Sequence, residues 1–342
     1  MTFLFADSFE TVTTHPQLAN RGWVVTSSPL ISTVIFKDGT QCVSNQGDEN
    51  IQLPITASDT VFASFWFYKA HELQRIFFRF MGATTGQLYL ETQTDDTYKI
   101  KDQAATDLGT SAAHASDTWH HIEFKGRFNN SITLGDVQLK VNGIQEINVT
   151  GGTDTQDSTD STIQTIELES GVTGRIYFDS PIFWNDLAGD DWNDFRGQLH
   201  IETKAPNANG PDSAWVGSDA DSTDNYLHVD EIEAIHDGDV SYSAGSAFDS
   251  QDSYNFPAMI ADSEGEILGV QVLMVAKKTL AFNKTITPFF VDGGPEFSGA
   301  KIALTNGTYT TDTHMFDENP ATAAQWTHAV IDTGNFGQRV TA

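Results

Sequence analysis

Apolar side chains recur at every second position in short runs along this chain, and turn residues separate the runs. Val137-Gln138-Leu139-Lys140-Val141 alternates cleanly and stops at Asn142-Gly143, a pair that favours a two-residue hairpin turn. Gln87–Thr92 alternates and meets the acidic turn Asp95-Asp96. In Trp119–Phe124, His120, Ile122 and Phe124 share one face of a strand, and Trp119, His121 and Glu123 share the other. Val61–Tyr68, Arg75–Phe80, Ile163–Leu168 and Gly174–Asp179 are further strand-like runs, rich in β-branched and aromatic residues. Helical periodicity is almost absent, save for one turn at Ala321–Ala324 after Pro320. This pattern predicts an all-β chain of antiparallel sandwiches.

The chain has 342 residues, which at about 150 per domain predicts two domains. A stretch from Asn185 to Asp224 is rich in Asp, Asn, Gly, Ser and Pro. It places the boundary near Gly197, giving domains 1–196 and 197–342. Strand signals resume after it, at Tyr226–Asp230, Ile286–Val291, Lys301–Leu304 and Trp326–Ile331. Gln198–Thr203 reads as one more alternating strand, and Ser253–Ile260 as strand or helical turn. Ile267–Val275 is apolar enough for a central strand buried on both faces.

Composition excludes several partners. With 47 acidic and 18 basic side chains, the formal charge is −29. Nucleic-acid binding needs clustered Lys and Arg, and an anionic membrane needs the same. The longest apolar stretch, Ile267 to Ala276, is far short of the ~20 residues that span a bilayer. Disorder is excluded as well, since 39% of residues are hydrophobic, with 23 Phe, 7 Trp and 8 Tyr. Cys42 is the single cysteine; it excludes an intrachain disulfide and reads as a small buried residue. The opening Met1–Asp7 lacks a positive segment, so the expectation is a chain made and folded in a cytoplasm.

Motifs of chemistry are sparse. There is no Gly-x-Ser-x-Gly elbow, no phosphate loop and no His-Glu-x-x-His helix. His120 and His121 are adjacent, so in a strand they point to opposite faces and do not share a metal. His236-Asp237-Gly238-Asp239 offers ligand types, but Asp-Gly is first a turn signal. Glu167 and Glu169 alternate with Ile166 and Leu168 and fit a solvated strand face. Thr153–Thr162 reads as a solvated acidic loop, with a calcium loop as the alternative; its spacing does not match an EF-hand. Trp184 and Trp192 are candidate sugar-stacking rings, weighed against closing the end of the first sandwich. No catalytic, cofactor-binding or metal residue is assigned.

Two resemblances add context. Asp117–Lys125 with its Trp119-His120-His121, the strand Val137–Val141 ending at Asn142-Gly143, Ile176–Trp184, and the opening Phe5–Glu10 resemble the laminin-G-like, or concanavalin A-like, jelly-roll family. That family's calcium ligands are loop carboxylates, which do not match here residue by residue. The run Asn193–Gly210, with Trp215, Val229-Asp230-Glu231, Asn319–Thr322, Trp326-Thr327 and Asn335-Phe336-Gly337, resembles structural proteins of tailed bacteriophages. Together they imply a bacteriophage virion component — tail, fibre or capsid decoration — built from two jelly-roll sandwiches, non-enzymatic and without cofactor. They also imply virion proteins as partners, a homo-oligomer for which a trimer is the guess, and an adhesion role toward a host-surface glycan. The alternatives are a carbohydrate-binding lectin-like protein or a glycan-degrading enzyme on the same fold. Trp119 is expected to support the first core.

Overall fold

The computed structural model describes residues 3–10, 12, 14–37, 39–70, 74–83, 85–129, 134–151, 153–156, 160–169, 174–186, 194–231, 236–259, 266–279 and 284–341. Among the described residues the regular structure is almost wholly antiparallel strand. It divides into two compact units, Met1–Ile201 and Glu202–Ala342. The division falls later than the Gly197 expected from composition, because Phe195, Leu199 and Ile201 pack on Phe62, Ile182 and Trp184 of the first unit.

In chain order the first unit comprises β1 (Phe3–Ala6), α1 (His15–Asn20), β2 (Val24–Val25), β3 (Leu30–Ser32), β4 (Cys42–Gln46), β5 (Asn50–Ser58), β6 (Thr60–Lys69), β7 (Arg75–Met81), β8 (Gly86–Thr92), β9 (Thr97–Asp102), β10 (Asp107–Ala113), β11 (Trp119–Arg127), β12 (Asp136–Val141), β13 (Ile144–Thr150), β14 (Ile163–Glu169) and β15 (Arg175–Asn185). Among the described residues the front sheet has eight strands in the order β13-β12-β11-β6-β15-β4-β3, with β1 also on β15. The back sheet has seven, ordered β10-β9-β8-β7-β14-β5-β2. The core between them is aromatic. Phe65 stacks on Phe78 at 5.1 Å, Phe67 on Phe77 at 4.1 Å and Phe80 on Phe124 at 4.9 Å. The Asn142-Gly143 hairpin has both residues at positive φ, 52° and 80°, the backbone its sequence predicts.

The second unit comprises β16 (Ala208–Ser213), β17 (Val216–Gly217), β18 (Ser243–Ala244), β19 (Gln251–Asn255), β20 (Val270–Ala276), β21 (Thr285–Val291), β22 (Phe297–Ser298), β23 (Ile302–Ala303), β24 (Thr310–Phe316), α2 (His328–Thr333) and β25 (Asn335–Val340). Its main sheet runs β16-β19-β25-β21-β22, with β23 also on β21. The ribbon β20–β24 packs on it through Val270, Val272 and Phe316, which join Phe290, Trp326 and Phe336.

Four expectations are corrected here. The apolar segment Ile267–Val275 is not a doubly buried central strand: β20 pairs only with β24 and all seven of its residues are half-buried. Tyr226–Asp230 is no strand, since a 3-10 turn runs Asn225–His228, anchored by the buried Asn225 amide on the Trp215 carbonyl and the Asp252 carboxylate. Trp326–Ile331 gives way to α2, whose N-cap Thr327 accepts the Val330 N–H. Gln198–Thr203 forms no ladder; its Leu199 and Ile201 instead pack on Phe62, Ile182 and Trp184 of the front sheet.

Candidate functional site

The two outward faces of the first unit differ in kind. On the back sheet the outward side chains are charged and paired. Arg79 bridges Glu169 at 2.6 Å and Glu167 at 3.4 Å, and Lys101 bonds Glu91 at 2.6 Å. Glu167 is buried and also takes the Gln52 and Asn50 amides, so this is no solvated face. Burial and the Glu167 charge, opposed by Arg79, push the Glu169 carboxyl up to about 6.

The front sheet turns aromatic rings outward. β6 carries aromatics on both faces: Phe65 and Phe67 point into the core, and Phe62, Trp66 and Tyr68 point out. Register across β15, β6 and β11 sets these outward residues in rows. The first is Tyr177, Tyr68 and Trp119. The second is Asp179, Trp66 and His121, the third Ile182, Ser64 and Glu123, and the fourth Trp184, Phe62 and Lys125. Neighbouring strands lie about 4.8 Å apart, so three rings in a row make a continuous aromatic strip. Tyr68 sits 5.4 Å from both Trp119 and Tyr177, tilted against one and edge-on to the other.

The segment after β15 covers the lower rows. Phe195 meets Phe62 edge-on at 5.8 Å, and the Lys140 ammonium lies 4.6 Å from the Phe195 ring centroid. Glu123 is fully buried beneath this segment, where one carboxylate oxygen accepts the N–H groups of Arg196 (3.0 Å) and Gly197 (2.7 Å). Its other oxygen has no hydrogen-bond partner among the described residues. Burial raises the Glu123 pKa against the pull of those two N–H groups.

The first two rows remain as the candidate site. Tyr68 and Trp119 are half-buried, while Trp66 and Tyr177 are each 8% exposed. His121 packs its ring 5.1 Å from Trp66, and its Nε2 lies 2.9 Å from the Ser64 hydroxyl. Ser64 and His121 are both buried, so the pair fixes the aromatic floor rather than meeting a substrate. The Lys37 ammonium stands 4.3 Å from the Trp66 ring centroid, and the Lys37 N–H donates to Asp179 at 2.8 Å. Tyr68 and Trp119 supply the accessible ring surface, with a few polar tips beside them, an arrangement suited to flat, hydroxyl-rich ligands.

The residues singled out in the sequence fall mostly elsewhere. Trp119 does not support the core; β-strand alternation sends it outward, opposite Ile122 and Phe124, as it does His121 and Glu123. Trp184 is fully buried and stacked on Phe62 at 5.4 Å, so it is no sugar platform; Trp192 lies outside the described residues. His120 points inward, with Nε2 2.8 Å from the Ala115 carbonyl, and burial lowers its pKa. Cys42 is buried, its thiol donates to the Ile35 carbonyl, and burial pushes its pKa up, which makes it unreactive. His236–Asp239 is a turn tied down by Tyr309, whose hydroxyl donates to Gly238 and Asp239. In the Thr153–Thr162 loop, Thr155 donates to the Arg127 carbonyl and Asp160 accepts the Ala83 N–H, while 157–159 lie outside the described residues. Among the described residues no group of three or more His, Cys, Asp or Glu is placed to hold a metal, and no helix is long and apolar enough to cross a membrane. Tyr68, Trp66 and Tyr177 were missed. The available signal was a β6 strand with large aromatics on both faces, which a sandwich strand with one solvated face does not need.

No family model matches the chain, and no curated protein matches it. Solved structures that resemble about half of the chain include a sialidase, at 13% identity and TM-score 0.40, covering 54% of this chain and 18% of that one. The cellulose-induced protein Cip1 is 13% identical with TM-score 0.42, covering 53% of this chain and 97% of its own. A carbohydrate esterase from the Shiga toxin-encoding bacteriophage phi24B is 14% identical with TM-score 0.38, covering 54% and 99%. These proteins are carbohydrate-related by name, and one comes from a phage; overlap this loose assigns no chemistry to the present chain.

Proposed function

We propose that this protein is a non-enzymatic, glycan-binding surface component of a tailed-bacteriophage virion, with the front sheet of the first unit as its binding face. The observation that carries the glycan part is the outward strip Tyr177–Tyr68–Trp119, backed by Trp66. A pyranose presents axial C–H groups that pack against aromatic faces, and its hydroxyls meet the polar tips at the edge. The virion part is supported by the phage-like run Asn193–Gly210. Within this reading the chain self-associates, a trimer being the working stoichiometry, and contacts other virion proteins.

Two experiments test the proposal. Titration calorimetry against neutral and acidic oligosaccharides is expected to give micromolar to millimolar binding that Tyr68→Ala and Trp119→Ala abolish without unfolding the chain. Mass spectrometry of purified particles is expected to find the chain at fixed stoichiometry. Absence from particles removes the virion assignment and leaves the glycan face intact. Release of new reducing ends from a bound polysaccharide, abolished by one carboxylate substitution, makes the protein an enzyme instead.

A further inference from the structure

We infer that the front face takes an acidic glycan, with one anionic substituent seated between Lys37 and Trp66 and a second at Arg175; this rests on the glycan reading above. The Trp66 side chain is 92% buried by its 8% exposure, and its indole N–H has no partner among the described residues. An indole N–H can only donate; this one is covered in the structure and meets an outside acceptor only once the Lys37 side chain moves off the ring. The Lys37 ammonium beside it is also donor-only and is solvent-exposed. Its backbone is anchored: the Lys37 N–H is on Asp179, the Ile35 carbonyl takes the Cys42 thiol, and the Ile35 N–H is on the Ser32 hydroxyl. The main chain is therefore held while the ammonium is free to leave the ring for a ligand oxygen.

Arg175, Tyr177 and Asp179 alternate onto the same face of β15. Arg175 thus lies about 13 Å along the strand from Asp179 at ~3.3 Å per residue, with the Tyr177 ring between them. Its guanidinium bonds the Gln46 side chain at 2.8 Å and reaches the Tyr177 hydroxyl. Two cations thus flank an aromatic strip on a chain that has only 18 basic residues. Among the described residues the acids nearby are turned away or lie at the far edge. Asp179 is fully buried and bonded to the Lys37 N–H and the Ser180 hydroxyl, and Asp117 sits at the β11 side by the Tyr68 hydroxyl. The −29 net charge repels a polyanion at long range, but that field is screened within ~8 Å at physiological salt. Contact pairs at Lys37 and Arg175 decide the sign at the face.

The test is titration of the full chain with oligogalacturonate, its methyl ester, dextran and dextran sulfate, at low and physiological salt. Expected is at least tenfold tighter binding of oligogalacturonate than of its ester, or of dextran sulfate than of dextran; the stronger of the two anions names the substituent. Lys37→Gln and Arg175→Gln should each weaken the anion five- to tenfold, with a much smaller loss for plain dextran and no change in melting temperature. Rising salt should weaken anion binding. Equal affinity for acid and ester and for sulfated and plain dextran, or variants without effect, or binding that strengthens with salt, overturns the acidic-glycan inference and leaves the glycan reading standing. No binding to any of the four overturns both.

Discussion

Trp119 carries its ring on the outside of the front sheet, half-buried against Tyr68. A core tryptophan costs about 3–5 kcal/mol when cut to alanine; this one should cost about 1–2 kcal/mol, from partial burial and one aromatic pair. Trp119→Ala is therefore expected to melt only a few degrees lower while losing glycan binding at least tenfold. A collapse in melting temperature would return Trp119 to a structural role. On the opposite face, Glu169 gives a pH signature. Its carboxyl is raised from 4.5 to about 6, so between those values the folded state binds the proton more tightly than the unfolded chain. The group's contribution to stability is thus greatest below pH 4.5 and is lost as pH rises through 6. One and a half pK units correspond to at most ~2 kcal/mol. Glu169→Gln should flatten the melting-temperature profile across that window, and an unchanged slope would show that the Arg79 pairing neutralises the shift.

Among the elements, the segment 194–201 and the strand beneath it depend on one carboxylate. Glu123 holds the backbone of Arg196 and Gly197, and Phe195 and Leu199 complete the contact. Glu123→Ala strands two N–H donors, so trypsin should cut after Arg196 much earlier than in the parent chain; cleavage at the same rate would mean the apolar contacts alone hold the segment. Other elements show how far the amino-acid order could be read. Alternation located β8, β11, β12 and β14, and the Asn142-Gly143 turn, because in each one face meets the core and the turn chemistry is local. It failed at α2, where Trp326, just before the N-cap Thr327, and Ile331, within the six-residue helix, both reach one aromatic cluster. Six residues are too few to separate period 2 from period 3.6. It failed at β20 because apolar content does not say whether a strand has neighbours on both edges. The proposed binding face was hidden for a related reason. Which outward strand side chains become neighbours is set by pairing β15 with β6, across more than a hundred residues of chain, and β6 with β11, across more than fifty.

At the scale of the whole molecule, each unit has an aromatic core of its own, so thermal unfolding should show two transitions. Gly337 tests this, since a Cβ there would strike the Asp252 carbonyl and the Phe289 ring. Gly337→Ala should lower one transition and leave the other in place; a joint shift of both would show coupled units. The self-association proposed above works against a charge of −29 per chain, so light scattering should find it strengthened, or at least not weakened, by salt. A monomer at every salt level rejects it. The topology of the first unit also has a bearing on how it is made. β15 joins β6 to β4, and β14 joins β7 to β5, yet these two keystones are the last strands of the unit to leave the ribosome. At about 5–20 residues per second, β6 waits roughly 5–20 s for the partner that closes its second edge. Throughout that interval a phenylalanine-rich strand stands open in a crowded cell, so the nascent chain should be a strong chaperone client until Asn185 has emerged and a weak one afterwards.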